Sequence, residues 1–391
     1  MKAICWQGKK DLRCEEVPDP IIDDPKDAIV RITSTCICGS DLHLMNGFVP
    51  TMCAGDVMGH EPMGVVVEVG PEARAAGLNV GDRVVIPFQM ICGECEQCQA
   101  GNFSVCQTTN RNADLANAFF GDTTAGLFGY SHITGGYAGG QAEYMRVPYA
   151  ATSVVKVPST GPDERYIFLS DILPTGWQAA INADIQPTDT VAVWGCGPVG
   201  LFTIQSALVQ GAKRVIAIDD VPERLEVARQ MGAEILDRSQ LKVLPTIKDM
   251  TDGHGPEKCI DAVGIEAHGP TAVLEFIDRA QTALKLETER PIALREAIMA
   301  CKAAGVVSVP GVYGGMSNMI PMGALMNKGL TIRTGQTHVK RWADDLLNRI
   351  EDGQIDPTVV ITHVEPLSRG PEMYKTFRDK KDGCIKVILK P

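Results

Sequence analysis

Short runs of β-branched residues dominate the first third of the chain. They cover residues 28–34, 63–69 and 84–86, and the last run directly follows the turn Gly81-Asp82-Arg83. β-Branched side chains suit a pleated strand better than a helix, which restricts their χ1 freedom. The pattern therefore predicts a mostly β domain at the start of the chain.

From Thr188 onward the pattern changes to strands that alternate with helices. A strand at 191–194 leads through a glycine-rich turn into a helix at 199–210, and a second strand and helix follow at 215–218 and 222–231. This alternation is typical of a parallel sheet with helices on both faces. Later strand ends are predicted at 262–264, 306–309 and 330–333.

The elements predict an α/β protein in three segments. These are a mostly β domain at 1–172, a doubly wound Rossmann unit at 173–335, and a segment at 336–391 that returns to the first domain. Two helical stretches, at 272–286 and 292–304, predict a surface insertion within the Rossmann unit. The final segment contains a predicted helix at 339–350 and a predicted strand at 385–389.

Composition narrows the class of partner. The chain has 391 residues, 45% of them hydrophobic, and a formal net charge of -11. Its lysines and arginines form no cluster that would attract a phosphate backbone, so a nucleic-acid partner is not expected. No secretory signal and no apolar run of about eighteen residues is recognisable, which predicts a soluble, cytoplasmic protein without a membrane partner.

The cysteines point to metal ligation. There are thirteen, an odd number in a long chain without a secretory signal, which argues against a disulfide framework. Four of them form a compact group, Cys92, Cys95, Cys98 and Cys106, within residues 92–106. Four thiolates at this spacing can surround one tetrahedral Zn²⁺, and a closed shell of sulfur ligands predicts a structural role. An iron–sulfur cluster is the alternative.

The run Gly195-Cys196-Gly197-Pro198-Val199-Gly200 stands where a predicted strand gives way to a helix. It matches the dinucleotide fingerprint G-x-G-x-x-G. Gly195 allows the tight turn, Gly197 lets a pyrophosphate approach the backbone, and Gly200 lets the helix pack on the strand. With Pro198 and Val199 they are the predicted cofactor-binding turn, which places the phosphates at the helix N-terminus.

Asp219 lies nineteen residues after Gly200, at the end of the second predicted strand. A carboxylate at this position accepts hydrogen bonds from a ribose 2′-hydroxyl and repels a 2′-phosphate, so NAD is predicted rather than NADP. Arg224 is either a contact of the adenosine ribose or a solvated helix residue.

A second metal site would have to draw on separated residues. Cys38 stands in Cys38-Gly39-Ser40-Asp41-Leu42-His43, and His60 in Gly59-His60-Glu61-Pro62. By spacing alone this is only suggestive, because a single cysteine after a strand is usually a small buried hydrophobe.

Taken in order, these motifs resemble the zinc enzymes of the medium-chain dehydrogenase/reductase superfamily. The segment from Cys38 to His43, Gly59-His60-Glu61, the four-cysteine group and the fingerprint together span nearly the whole chain. The resemblance implies a GroES-like, mostly β catalytic domain next to a Rossmann domain. It also implies two zinc ions and NAD as cofactors, and a homo-oligomer, either a dimer or a tetramer.

Within this superfamily the chain is more similar to glutathione-independent formaldehyde dehydrogenases. The segments that carry this similarity are Gly139–Tyr144, Ser170–Gly176 and Thr334–Thr337. Most zinc alcohol dehydrogenases have a cysteine as the third catalytic ligand, whereas Asp171 stands at the matching place here, as in the formaldehyde branch. The resemblance therefore implies Cys38, His60 and Asp171 as catalytic zinc ligands, with the fourth position left for a substrate oxygen.

The same resemblance implies roles for neighbouring residues. Glu61 would lie close to the zinc, and Asp41 would orient the ligand histidine. Ser40 would take the proton of the alcohol, and His43 would pass it to solvent.

Three residues would contact the cofactor: Val263 and Val312 beside the nicotinamide, and Thr337 on its other side. For these three, packing in a core or loop is the alternative.

The predicted function is hydride transfer between NAD and a small alcohol, or an aldehyde as its hydrate. Two alternatives stay open at this point. One is a zinc dehydrogenase of polyols or larger alcohols, since residues of the pocket set the choice of substrate. The other is a dehydrogenase-like binding protein without turnover.

Overall fold

The computed structural model of the protein describes residues 1–264, 291–314 and 317–391. The chain divides into two compact units. Unit 1 contains Met1–Pro174 and Thr337–Pro391, and unit 2 contains Thr175–Gln336. The final segment of the chain thus belongs to the same unit as the N-terminal part.

The strands of the described residues are β1 (Lys2–Gly8), β2 (Asp11–Glu16), β3 (Ala28–Ile37), β4 (Asp56–Val57), β5 (Pro62–Val69), β6 (Arg83–Val85), β7 (Tyr144–Val147), β8 (Val155–Lys156), β9 (Thr190–Trp194), β10 (Arg214–Asp219), β11 (Glu234–Asp237), β12 (Lys258–Asp261), β13 (Val306–Val309), β14 (Thr331–Thr334), β15 (His363–Pro366) and β16 (Val387–Lys390).

The α-helices of the same residues are α1 (Gly39–Met45), α2 (Pro71–Ala75), α3 (Glu96–Gln99), α4 (Ala113–Phe120), α5 (Ala150–Ser153), α6 (Ile172–Ala183), α7 (Pro198–Val209), α8 (Pro222–Gln230), α9 (Val243–Met250), α10 (Ile292–Ala300), α11 (Met322–Lys328), α12 (Val339–Glu351) and α13 (Gly370–Arg378). Short 3₁₀ turns add Phe103–Val105, His132–Thr134, Asp163–Arg165, Ile167–Ser170, Pro357–Val360 and Leu367–Arg369.

Unit 1 is built around the long strand β3. It pairs antiparallel with β5, β7 and β16, in a sheet that runs β15-β16-β3-β5-β6-β8. A separate three-stranded sheet has the order β2-β1-β4. β3 is buried over most of its length, as its sequence AIVRITSTCI predicts for a central strand. The pairing of Thr35 with Pro62 brings the end of β3 beside the start of β5.

Unit 2 contains one parallel sheet with the strand order β11-β10-β9-β12-β13-β14. The central strand β9, TVAVW, is buried at every position, as expected of a parallel strand covered on both faces. The order reverses between β9 and β12, which is the topological switch point of a doubly wound sheet. The predicted α/β class, with a mostly β part and a Rossmann sheet, is confirmed.

Helix α10 is shorter than its sequence predicts. The predicted helix at 292–304 ends at Ala300, because Cys301 adopts an extended conformation and Ala304 has a left-handed φ of 60°. The strand predicted to end at 262–264 also ends earlier, at Asp261. The predicted helix at 272–286 lies outside the described residues.

Among the described residues, none of the helices combines the length and the apolar character that crossing a membrane requires.

Candidate functional site

Three metal-type donors from separate segments converge in unit 1. Cys38 follows β3, His60 precedes β5, and Asp171 follows the 3₁₀ turn Ile167–Ser170. Asp171 Oδ2 lies 3.6 Å from Cys38 Sγ and 3.3 Å from His60 Nε2. Together with Glu61, these residues each offer a ligand atom within 4.8 Å of the others. We call Cys38, His60 and Asp171 the catalytic donor group.

Asp41 links two members of this group. It is the third residue of α1, and its Oδ2 accepts a hydrogen bond from the backbone N–H of Cys38 at 2.9 Å. Its Oδ1 lies 2.9 Å from His60 Nδ1. A helix cap thereby orients the imidazole so that Nε2 faces Cys38 and Asp171. Asp41 thus contacts Nδ1 of His60, and its role in orienting a zinc-bound histidine stays a prediction.

The group is deeply buried and rich in negative charge. Burial raises the pKa of the Cys38 thiol to about 11, and the carboxylates of Glu61 and Asp171 act in the same direction. Burial disfavours a charged His60, but the Asp41 carboxylate and a hydrogen bond to Asp171 outweigh it, so the pKa of His60 lies well above its ordinary value. A divalent cation would offset this charge, so the donor set fits Zn²⁺.

Glu61 forms a fully buried ion pair with Lys386, next to the start of β16. The Lys386 ammonium also donates to the carbonyl of Ile37 at 3.0 Å and lies 5.8 Å from the centroid of the Phe168 ring. Burial raises the pKa of Glu61, although Lys386 opposes the shift. The pair places a positive charge beside a carboxylate that lies within 4.8 Å of the donor atoms.

Ser40 and His43, the two residues predicted to form a proton relay, both lie on α1. Ser40 Oγ lies 3.1 Å from His60 Nε2, so the hydroxyl faces the point at which the donor atoms converge. His43 is buried one helical turn further along α1. The relay between these two residues stays a prediction.

Two aromatic rings stand edge-on to the His60 imidazole. The centroids of Phe88 and Tyr130 lie 6.4 Å and 6.3 Å from that of His60. Phe119 and Phe120, by contrast, are more than half exposed on α4. Phe88 and Tyr130 therefore form part of the apolar wall around the donor group.

The four cysteines at 92–106 form a second compact group. Cys92 Sγ lies 3.9 Å from Cys98 Sγ, and Cys95 Sγ lies 3.9 Å from Cys106 Sγ. Sulfur atoms around a tetrahedral Zn²⁺ with bonds of about 2.3 Å are roughly 3.8 Å apart. Cys95 caps the short helix α3, which projects Cys98 back toward the group. The spacing fits a single metal ion.

Polar groups favour a thiolate at one of these positions. Burial disfavours the Cys92 thiolate, but a hydrogen bond from Thr108 and the backbone N–H groups of Glu94 and Cys95 outweigh it. They lower the pKa of Cys92 to about 6. Donors of this kind stabilise ligand sulfur in its deprotonated form.

In unit 2 the glycine-rich turn joins β9 to α7. Gly195 has a left-handed φ of 88°, and Gly197 is the N-cap residue of the helix, which begins at Pro198. A Cβ on Gly200 would lie 1.8 Å from the Gly195 carbonyl oxygen, so only glycine fits there. A Cβ on Gly197 would meet nothing closer than Arg224 Nη1, at 3.7 Å. Gly195 and Gly200 are thus required by the turn itself, whereas Gly197 borders open space.

Asp219 ends β10 and accepts three backbone hydrogen bonds. Its Oδ2 accepts from Cys196 at 2.6 Å, and its Oδ1 accepts from Asp220 and Val221 at 2.7 and 2.9 Å. The carboxylate therefore also ties the end of β10 to the glycine-rich turn. Sequence reasoning assigned it only a role in cofactor recognition.

The remaining predicted cofactor residues fall in both units. The Val263 side chain packs against Gly195, and the Val312 backbone lies against Gly264. Thr337 belongs to unit 1, where its carbonyl accepts a hydrogen bond from Gln89 at 2.5 Å. Their contacts with a nicotinamide stay predictions.

Two known protein families match parts of the chain. Residues 24–159 match the model of the alcohol dehydrogenase GroES-like domain, and residues 198–274 match that of the zinc-binding dehydrogenase domain. The chain is 42% identical, over the full length of both proteins, to the zinc-type alcohol dehydrogenase-like protein AdhB of Bacillus subtilis strain 168. The chain belongs to the zinc-dependent medium-chain dehydrogenases.

Two further matches support this family, which the sequence motifs predicted. A glutathione-independent formaldehyde dehydrogenase of Pseudomonas aeruginosa PAO1 is 33% identical over 96% of this dehydrogenase and 94% of the relative. The solved structure of the alcohol dehydrogenase TADH from Thermus sp. ATN1 superposes with a TM-score of 0.81. It is 33% identical and covers 100% of this chain and 99% of its own.

Sequence reasoning missed Lys386 in this dehydrogenase. A signal was present, because Lys386 interrupts the apolar run Ile385–Leu389, which was itself predicted to be a strand. A charged residue inside such a strand predicts a buried partner of opposite charge. The identity of that partner, Glu61, follows only from the pairing of β16 with β3.

Asp261, which was also missed, supports the turn that carries Val263. It is completely buried at the end of β12 and accepts hydrogen bonds from the backbone of Val263 and Gly264, at 3.0 and 3.2 Å. Tyr313 donates its hydroxyl to the other carboxylate oxygen at 2.8 Å. Burial raises the pKa of Asp261, although these hydrogen bonds oppose the shift. Asp261 thus shapes a turn next to Gly195.

Proposed function

We propose that this dehydrogenase transfers hydride between a small alcohol, or an aldehyde as its hydrate, and NAD. The observation that carries the proposal is the convergence of Cys38, His60 and Asp171 in a buried site, with the Ser40 hydroxyl beside His60. Three protein ligands are typical of a catalytic zinc, which keeps one position open.

Two zinc ions per chain follow from this proposal. Zinc held by the catalytic donor group would act as a Lewis acid toward a substrate oxygen. A second zinc would be structural and held by the four cysteines. All four sulfur atoms lie within 4.8 Å of one another, which favours one metal ion there over an iron–sulfur cluster, because thiolates bound to different irons would be further apart.

The residues around the donor group would supply orientation and proton transfer. Ser40 Oγ would accept the substrate proton as it gives up its own hydroxyl proton toward His43, on the same helix, which would release a proton toward solvent. Asp41 holds His60 Nδ1 and so keeps Nε2 directed at the site. The chain would bind NAD at the glycine-rich turn, with Asp219 at the adenosine ribose, and the nicotinamide would accept the hydride.

A small substrate is favoured on two grounds. The rings of Phe88 and Tyr130 limit the space beside His60. In addition, the relative from Pseudomonas aeruginosa is named a formaldehyde dehydrogenase.

We expect NADH to form with formaldehyde or short primary alcohols. Their kcat/KM should exceed that of sorbitol by roughly a hundredfold, because the rings of Phe88 and Tyr130 leave less space than the larger substrate needs. The measurement is NADH absorbance over a panel that runs from formaldehyde to sorbitol. Equal or faster turnover of sorbitol would favour a polyol dehydrogenase instead. An absence of NADH with every member would favour a binding protein without turnover.

The choice of NAD is tested by Asp219→Asn. An asparagine removes the negative charge while its oxygen retains the acceptor role toward Asp220 and Val221. The ratio of kcat/KM for NADP to that for NAD should rise by about ten- to hundredfold, the equivalent of 1.4 to 2.8 kcal/mol. Asp220→Asn, which changes the adjacent carboxylate, is the matched control. An unchanged ratio in Asp219→Asn would contradict the role of Asp219 in excluding the 2′-phosphate.

A further inference from the structure

A third group of metal-type donors lies in unit 1, in residues that the proposed activity does not use. It consists of Cys53, Asp56 and His132, which we call the surface donor group. One ligand atom from each lies within 4.8 Å of the other two. His132 Nε2 is 3.1 Å from Asp56 Oδ1. The group thus unites a thiol, a carboxylate and an imidazole from two separate segments of the chain.

A tight turn holds Cys53 and Asp56 together. The Cys53 N–H donates to Asp56 Oδ2 at 2.7 Å, and the Asp56 N–H donates to the Cys53 carbonyl at 3.1 Å. Gly55 supplies the left-handed φ of 96° that the turn needs. Asp56 then begins β4, where it pairs with Trp6 of β1. The sheet therefore fixes the backbone from which these two side chains project.

His132 is held independently at the start of its 3₁₀ turn. Its carbonyl accepts a hydrogen bond from Asn112 Nδ2 at 2.7 Å, and the next residue, Ile133, donates to Thr51 Oγ1 at 3.1 Å. The imidazole lies against Gly136, where a Cβ would approach the ring to 2.7 Å. The ring therefore has a fixed position relative to the segment that carries Cys53.

The donor types match a zinc ion. Thiolate, imidazole and carboxylate are its usual protein ligands, at about 2.0 to 2.3 Å, which sets ligand atoms roughly 3.3 to 3.8 Å apart. The 3.1 Å between His132 Nε2 and Asp56 Oδ1 is close to that range. The Cys53 sulfur lies within 4.8 Å of both atoms, so a shift of about 1 Å would bring it within the range as well. An ion pair between Asp56 and His132 does not require a thiol beside it, whereas a zinc ion would bind all three side chains.

We propose that Cys53, Asp56 and His132 bind a third divalent transition-metal ion, Zn²⁺, which exchanges with solvent. Cys53 is exposed, and the side chains of Asp56 and His132 retain 21% and 33% of their accessible surface. Solvent would therefore complete the coordination, and the ion would be held less tightly than at the buried four-cysteine group.

The position of the group gives this ion a structural consequence. Asp56 lies four residues before His60, and Tyr130 lies two residues before His132 with its ring edge-on to that of His60. Zinc at the surface group would join the two segments that flank the His60 imidazole. Zinc binding at the surface donor group requires neither the proposed substrate nor the cofactor.

Thiol protection in the purified holoenzyme tests the site. All thirteen cysteines lie in the described ranges, and among them Cys53 is the exposed one, so a brief treatment with iodoacetamide should modify it first. Added Zn²⁺ should slow the alkylation of Cys53 by roughly tenfold, because a ligated thiolate is a poor nucleophile. Peptide mass spectrometry identifies the modified residue. Alkylation of Cys53 at the same rate with and without zinc would overturn the proposal.

Zinc uptake supplies the second measurement. After dialysis against Zn²⁺, the wild-type chain should hold one equivalent of zinc more than Cys53→Ser. The control Cys14→Ser, which alters a half-buried thiol of β2, should bind as much zinc as the wild type. His132→Gln should abolish the protection of Cys53. Two results would refute the three-donor site. One is equal zinc uptake by the wild type and Cys53→Ser, and the other is full protection of Cys53 from alkylation in His132→Gln.

Discussion

Asp171→Ala is expected to lose one zinc ion per chain and about a thousandfold in kcat/KM. Asp171 Oδ2 is the atom that approaches both Cys38 Sγ and His60 Nε2, so its removal leaves two donors from which a metal readily dissociates. Loss of Lewis-acid assistance costs several kcal/mol in the transition state, and about 4 kcal/mol corresponds to a thousandfold. Metal analysis by plasma emission and steady-state kinetics measure the two effects.

The matched control for this prediction is Asp171→Cys. A thiolate at this position restores a three-ligand set with the donor that most zinc alcohol dehydrogenases have, so the variant should keep both tightly held zinc ions. The four-cysteine group serves as an internal reference, because neither substitution touches it. An Asp171→Ala chain that retained two tightly held zinc ions would exclude Asp171 as a ligand.

Lys386→Met is expected to lower the free energy of unfolding by about 3 to 5 kcal/mol, because it leaves the Glu61 carboxylate buried without a counter-charge. Both side chains are completely buried, and the Ile37 carbonyl also loses the hydrogen bond that the ammonium donates to it. The measurement is the shift of the unfolding midpoint in urea, followed by circular dichroism, with thermal unfolding as a second probe.

The double variant Glu61→Gln/Lys386→Met separates charge from packing. A neutral amide at position 61 removes the unpaired carboxylate, so the double variant should recover most of the lost stability. Its zinc content should also stay close to that of the wild type, because Cys38, His60 and Asp171 are unchanged. A double variant as unstable as Lys386→Met would show that Lys386 acts through its packing against Phe168 and not through Glu61.

The residues predicted to bind the catalytic metal lie closer together than those predicted to form the proton relay. The predicted metal ligands Cys38, His60 and Asp171 lie within short distances of one another in unit 1, and Asp41 contacts His60. Of the two predicted relay residues, Ser40 lies beside His60. His43 is buried, although its predicted role is to pass a proton to solvent. The kinetics of Ser40→Ala would therefore report on the relay more directly than those of His43→Ala.

The outline of the fold followed from the sequence because its signals are local. β-Branched runs predicted β3, β5 and β6, and the strand-helix alternation predicted the parallel sheet of unit 2. The end of α10 was missed, since no proline marks it and the break comes from the backbone conformations of Cys301 and Ala304. Helix ends of this kind depend on tertiary contacts more than on propensity.

Groups whose members are close in the chain could be recognised from spacing alone. The four cysteines at 92–106 and the glycines at 195–200 cannot lie far apart in any fold, so their chemistry was readable from the sequence. The catalytic donor group is different: Cys38 and Asp171 are 133 residues apart, and spacing did not single them out. Resemblance to a family supplied that set.

Only the tertiary structure determined which side chains from distant segments of the chain contact one another. Lys386 meets Glu61 over a separation of 325 residues because β16 lies beside β3, whose end faces the start of β5. His132 meets Asp56 over 76 residues because the 3₁₀ turn that begins at His132 is hydrogen-bonded, through Ile133, to Thr51 in the segment before Asp56. Such contacts depend on strand order and register, which hydrophobic pattern and spacing leave undetermined. The sequence alone thus determined which chemistry the chain can carry, and the fold determined which charges and donors meet.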